Sequence, residues 1–244
     1  MSNVLTRMHE IWYADDFPSL ASRYTKIYFI RNAATEASEY EIVQGAGYSS
    51  PISSKGQEQL KLLAKRFQNV PLSAIYYSGN ASSTPTAMAV NKHHHVPMRP
   101  DPALEEINFG AAKGQTYSWF RAFFPENFSR MLHEPHRFEA PLGDSTVQIY
   151  LRMRDAIRKI EYANRGQTIA VVSHQWALRC MMCWLYYDNL KMLRYITWAD
   201  NTAISLGLYD TDRDLWRIRF RNDDSHLPDA FKSYTVQRWN IFDC

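Results

Sequence analysis

Thr168-Ile-Ala-Val-Val172, followed at once by Ser173 and His174, is the most strand-like run in the chain. An unbroken apolar run, as opposed to one alternating with polar residues, marks a strand covered on both faces, as in a parallel sheet. Lys26-Ile-Tyr-Phe-Ile-Arg31 has the same form and also ends on a polar group, Ala74-Ile-Tyr-Tyr77 is another such strand, and Val96-Pro-Met-Arg99 is a short one whose proline keeps it near an edge. Helical patterns lie between them. Ser53 and Ser54 ahead of Gln57 open a capped amphipathic helix with the stripe Leu60, Leu63, Ala64 and Phe67, and a second helix spans Ser83 to Lys92. Ile149, Met153, Ile157 and Ile160 define a third helix that Gly166 closes, and the segment from Trp176 to Tyr187, apolar on nearly every face, is predicted to be a buried helix. Ala203 to Tyr209 and Leu215 to Phe220 flank Asp210-Thr-Asp-Arg-Asp214 as a hairpin. Alternating strands and helices with a final antiparallel hairpin give an α/β protein: three layers, α/β/α, around a mostly parallel sheet.

The 244 residues, 45% hydrophobic and 22% charged with a net charge of +3, suffice for a sizeable core and exclude a disordered chain or a disulfide-stapled miniprotein. One domain is expected over residues 26–227, with extensions at 1–25 and 228–244 and a cap insertion at about 115–142 broken by Pro125, Pro135 and Pro141. Aromatic residues make up 14% of the chain, and Trp119, Phe120, Phe123, Phe124, Phe128 and Phe138 fall in that insertion, where they are expected to pack inward as its core. Were some to face a cleft, a bulky or aromatic ligand would suit it. No run of five or more Lys and Arg occurs, which argues against nucleic acid or a membrane surface as partner. No apolar stretch approaches the roughly 18 residues of a membrane span, and none precedes Asp15-Asp16 as a signal sequence would. With only three cysteines, a reducing, cytoplasmic setting is the expectation. His93-His94-His95 reads as a solvated helix end, and Cys180-Met-Met-Cys183, inside an apolar helix, as packing and not as a redox or zinc pair. No metal or cofactor is expected, and a homodimer is left open.

Ligands of open α/β sheets bind just past the carboxyl ends of the strands. Two strands here end in suitable groups, Arg31-Asn32 and Ser173-His174, which share a crevice if the strands are neighbours. Arg31 offers a fork of donors for a phosphate or carboxylate, and His174 can hold or shuttle a proton. The alternative is that Arg31 only caps the sheet and His174 is an internally satisfied histidine.

The order of six stretches resembles the histidine phosphatase superfamily, on its phosphoglycerate mutase branch. They are Ile30-Arg31-Asn32-Ala33-Ala34-Thr35-Glu36, Pro51-Ile-Ser-Ser-Lys-Gly56, Tyr77-Ser78, Leu104-Glu-Glu106-Ile-Asn-Phe-Gly110, Gly143-Asp-Ser145 and Val171-Val-Ser-His174. Pro125-Glu126, Arg179, Asn201-Thr202 and the segment Asn222 to Leu227 extend the likeness to roughly 200 residues. The resemblance implies a phosphoglycerate mutase-like fold and a reaction in which a histidine after the strand-end arginine takes up a phosphoryl group. A second histidine and two arginines bind its oxygens, and an acid protonates the leaving oxygen. Arg31 matches the first arginine, His174 the second histidine and Glu106 the acid.

The departures carry more information. The nucleophile position holds Asn32, whose amide nitrogen has no lone pair to offer phosphorus. The second arginine falls on Ser82, a loss of a permanently charged bidentate ligand, and the glycine after the second histidine is Gln175. Glu106, His174 and Asn32 are therefore the candidate catalytic positions. Arg31, Thr35, Ser82, Gln175 and Trp119 are the candidate ligand-binding residues, with Lys113, Arg121, Arg137 and Arg179 as candidate replacement cations. Three functions follow: a protein that cannot form phosphohistidine and binds an anionic or phosphorylated small molecule; an enzyme with non-phosphatase acid/base chemistry on Glu106 and His174; or a phosphatase or mutase inactivated by an engineered substitution at Asn32.

Overall fold

The computed structural model describes residues 23–232. Residues 1–22 and 233–244, which make up most of the expected extensions at 1–25 and 228–244 and include Cys244 and the stretch weighed as a signal sequence, lie outside the described residues. Six strands form one sheet in the order β3-β2-β4-β1-β5-β6: β1 Tyr24–Arg31, β2 Ala74–Tyr77, β3 Met98–Pro100, β4 Thr168–Ser173, β5 Ile204–Asp210 and β6 Leu215–Asp223. β1, β2, β3 and β4 run parallel, and β5 pairs antiparallel with both β1 and β6. This is the mixed α/β architecture expected from the strand and helix alternation. The edge strand β3 starts two residues later than the sequence pattern placed it, past Pro97, whose ring nitrogen cannot donate to the ladder.

β4 shows why three layers form. Its residues alternate sides: Ile169 and Val171 enter one core, Ala170 and Val172 the other. The second core packs against Leu63 and Phe67 of α2 (Ser54–Phe67) and Ala87 and Val90 of α3 (Ser83–Asn91), after the short α1 (Glu36–Glu39). Ser53 caps α2, its hydroxyl accepting from Gly56 N–H, and its stripe is buried as the periodicity requires. The first and larger core is covered by α6 (Thr146–Ala163) and α7 (Gln175–Tyr187). Ser145 and Gln148 close α6 with a reciprocal capping box. Nine residues of α7 are buried, Cys180 and Cys183 among them, and burial pushes both thiols up in pKa.

The segment expected to be an insertion forms two short helices, α4 (Tyr117–Phe123) and α5 (Pro125–His133), and a turn at Pro135–Arg137. Phe120, Phe128 and Phe138 point inward; Phe120 and Phe138 meet Phe109 and each other, and Phe128 meets Phe120, with ring centroids 5.5–6.4 Å apart. Phe138 also lies 5.2 Å from the Trp176 ring, so aromatic contacts tie the cap to the start of α7. At the end of α3, His93 and His95 are exposed, and the His94 ring bonds the Phe67 carbonyl at 2.8 Å.

Candidate functional site

β1 and β4 are hydrogen-bonded neighbours with Arg31 opposite Ser173, so the residues that leave the two strands, Asn32 and His174, emerge side by side. Asn32 N–H extends the ladder to the Ser173 carbonyl at 2.9 Å. Because β5 is antiparallel, the loop entering it arrives at the same end of the sheet. Thr202 N–H donates to the Arg31 carbonyl, and Asn201 Nδ2 donates to the Asn32 carbonyl at 2.8 Å.

A chain of hydrogen bonds sets the protonation of His174. Asn80 stands before α3, and its Oδ1 accepts from the N–H of Ser83 at 2.9 Å and of Ser82 at 3.2 Å. Those backbone donors fix the amide orientation and turn Nδ2 toward His174 Nε2, 3.1 Å away. Nε2 therefore accepts, with Ser78 Oγ also 2.7 Å from it. The ring proton must then sit on Nδ1, which donates to Asn32 Oδ1 at 3.1 Å, while Asn32 Nδ2 donates to the Ala33 carbonyl at 2.9 Å. Burial, reinforced by Arg31 and Arg152, lowers the His174 pKa from 6.5 to about 3. The imidazole is neutral, and both ring nitrogens are engaged.

Glu106 meets the first turn of α7. Its Oε2 accepts from Trp176 N–H at 2.9 Å, and Oε1 from Ala177 N–H at 2.9 Å and Ile107 N–H at 3.0 Å. Burial raises its pKa, against the pull of those three donors and of Arg31. The carboxyl thus serves as a cap on a positive helix end while opening partly on the cleft. Arg31 reaches past it, Nη1 donating to the Ala199 carbonyl at 2.5 Å.

These groups surround a cleft of about 140 Å³. Arg31, Asn32, Thr35, Ser82, Glu106, His174 and Gln175 all line it. Thr35 caps α1, and its hydroxyl donates to Gln44 Oε1 at 2.9 Å; Ser82 opens α3, with its hydroxyl 3.2 Å from Asn80 Oδ1. Trp119 is the exception. It stacks on Phe123 with centroids 4.5 Å apart and does not line the cleft. Two residues along a helix is a rotation of about 200°, so the turn that aims Tyr117 into the cleft carries Trp119 away from it.

None of the four candidate replacement cations lines the cleft either. Lys113 donates to the Ala46 carbonyl, Arg121 is exposed on α4, and Arg137 pairs with Glu134. Arg179 is buried under α7, donating to the carbonyls of Ile196 and Leu193 between the rings of Trp176 and Trp198. Among the described residues, Arg31 is the one positively charged side chain of the lining, and Glu41 and Glu106 are its acids. Asn80, Tyr48, Tyr117, Trp198 and Asn201 also line the cleft. Asn80 carried a local signal, an asparagine three residues ahead of a helix; Trp198 carried none, since its place depends on Arg179. Among the described residues no group of three or more His, Cys, Asp or Glu is placed to hold a metal, and no helix is long and apolar enough to cross a membrane.

A sequence model of the histidine phosphatase superfamily (branch 1) matches residues 27–224. The chain belongs to that superfamily. It is 28% identical over 181 residues to phosphoserine phosphatase 1 of Hydrogenobacter thermophilus, covering 74% of this chain and 85% of that protein. It is 26% identical over 171 residues to a 6-phosphofructo-2-kinase/fructose-2,6-bisphosphatase of Aquarana catesbeiana, where the match covers 69% of this chain and only 35% of the two-activity protein. Among solved structures, YhfR of Bacillus stearothermophilus superposes with a TM-score of 0.78 at 26% identity, over 83% of this chain and 98% of that one.

Proposed function

We propose that this protein is a member of the superfamily that does not form phosphohistidine and uses the cleft to bind an anionic small molecule. The observation that carries the proposal is Asn32. It follows the strand-end Arg31 directly, its Oδ1 is 3.1 Å from His174 Nδ1, and its amide nitrogen is committed to the Ala33 carbonyl. An amide in that place cannot attack phosphorus. Ser82 in place of a second arginine, with no other cation among the described residues brought into the lining, supports the same reading. The acid/base alternative has less support, because Glu106 accepts three backbone N–H groups and both nitrogens of His174 are engaged. The reading takes residues 26–227 as one domain with the cap at about 115–142.

The test is turnover of phenyl phosphate and phosphoserine by the natural chain, by Asn32→His, and by Asn32→His combined with Ser82→Arg. No release of phosphate is expected from the first, little or none from the second, and measurable release with a mass increment of one phosphoryl group from the third. Turnover by the natural chain would overturn the proposal. Full activity in Asn32→His alone would instead favour a site disabled at one position.

A further inference from the structure

The proposed binding role leaves the ligand's charge open, and the lining decides it. A phosphate monoester carries close to two negative charges above its second pKa of about 6. Among the described residues it would meet one guanidinium here, with Glu41 and Glu106 as the other charged groups of the wall. His174 is neutral and donates its one ring proton to Asn32, so it adds neither charge nor a donor. Arg31 has a planar fork of five N–H groups, one of them on the Ala199 carbonyl, a shape that suits a planar carboxylate. One side of the wall is apolar and aromatic, with Tyr117 and Leu132 from the cap, Trp176 from α7 and Trp198 from the loop before β5, and the other side carries uncharged polar groups, Thr35, Asn80, Ser82, Gln175 and Asn201 among them. Burial and the nearby Glu106 raise the Tyr117 pKa to about 12, so its hydroxyl stays an uncharged donor. The volume of about 140 Å³ is close to that of an apolar protein cavity known to admit a single benzene ring, about 150 Å³.

We infer that the cleft takes a singly charged carboxylate on a ring-sized apolar body, an aryl or arylalkyl monocarboxylate, with the carboxylate at Arg31 and the ring between the cap and Trp198. This rests on the binding role proposed above and adds the ligand class. It reverses the preference expected of a phosphate site: a second negative charge weakens binding.

Phenylacetate and phenyl phosphate share the ring and differ in charge. The full chain is titrated with each, and with inorganic phosphate, between pH 5 and 8, by calorimetry and by the fluorescence of the tryptophans in the wall. The ionisable groups around Arg31 are Glu41 at the rim, Glu106, Tyr117 of α4, His174 and, behind Glu106, Arg152 of α6. Their titration acts on both ligands, so phenylacetate serves as the reference at each pH. Phenylacetate is expected to bind saturably. Phenyl phosphate should lose about tenfold in affinity relative to it as the second proton leaves, the equivalent of about 1.4 kcal/mol. Arg31→Gln should remove phenylacetate binding, and Glu41→Gln, at an exposed position, should favour the dianion selectively. Phenyl phosphate binding more tightly at pH 8 than phenylacetate would overturn the monocarboxylate inference and leave the anion-binding role standing. Saturable binding of neither would overturn both, and hydrolysis of phenyl phosphate would overturn the binding role itself.

Discussion

Asn80→Asp should convert His174 from a permanently neutral ring into one that titrates near neutrality. In the native chain the Asn80 amide presents its Nδ2 to His174 Nε2 at 3.1 Å, and its Oδ1 holds the first N–H groups of α3. An aspartate can keep the second contact, since either oxygen accepts, but it places a carboxylate oxygen against a ring nitrogen that has no proton. At 3.1 Å and an effective dielectric of about 20, the attraction between that carboxylate and an imidazolium is about 5 kcal/mol, or about four pKa units. The His174 pKa should therefore climb from about 3 toward about 7. Long-range ¹⁵N–¹H correlation of the His174 ring is the assay. The native chain should show the neutral Nδ1–H form from pH 5 to 8, and the variant a titration with both nitrogens protonated at the acid end. Stability carries the same signature. Because the native pKa lies below that of the unfolded chain, the favourable contribution is fully present above pH 6.5 and is lost as pH falls toward 3. The slope is about 1.4 kcal/mol per pH unit, so lowering the pH from 6.5 to 5 removes about 2 kcal/mol in the native chain and far less in the variant. A native His174 that titrates near 6.5, or that carries its proton on Nε2, would refute the hydrogen-bond chain from Asn80 to Asn32.

Two further substitutions probe the scaffold of the cleft. A Cβ on Gly56 would stand 2.1 Å from the Ala34 carbonyl oxygen and 2.7 Å from Ile52 Cγ2, so Gly56→Ala should force α2 off the loop leaving β1. The expected loss is about 2–3 kcal/mol, read by calorimetry as a Tm about 5–10 °C lower; an unchanged Tm would show that the loop has room to move. Arg179→Met leaves the carbonyls of Leu193 and Ile196 without their charged donor and removes the cation between Trp176 and Trp198. Urea unfolding should show a loss of about 2–5 kcal/mol, with red-shifted emission from a loosened Trp198, whereas a native spectrum and midpoint would mean the loop holds itself.

The scaffold was largely legible because it follows from patterns confined to single segments. The runs Lys26–Arg31, Ala74–Tyr77 and Thr168–Val172 are strands within two residues, and the stripe through Leu63 and Phe67 faces the core. The Ser53 cap is local chemistry of the same kind. Seven of the eight site positions named from sequence line one cleft because the pairing of β1 with β4 assembles most of it. What could not be read depends on which way a side chain turns after folding. Trp119 stands among cap aromatics in the sequence, but the phase of α4 turns it away from the cleft, against Phe123 and Phe124, and Tyr117 toward it. Likewise, whether a second arginine joins Arg31 at the cleft is a question of side-chain reach. Arg179, the most suggestive candidate, spends its donors on carbonyls beneath α7.

The reversal of direction between β1 and β5 has a consequence of its own. Of the segments that bring Asn32, His174 and Asn201 to the cleft, two are strand exits and the third, Ala199–Ala203, is a strand entrance. The stretch that precedes it, from Asp188 at the end of α7 to Trp198, is outside the sheet and is held by Arg179 at the carbonyls of Leu193 and Ile196 and by the burial of those two side chains. Its exposed positions, such as Lys191, Arg194, Tyr195 and Thr197, can change while the ladder of six strands stays intact. A lineage can therefore exchange one wall of its binding site, and with it the shape of molecule it accepts, without renegotiating the fold.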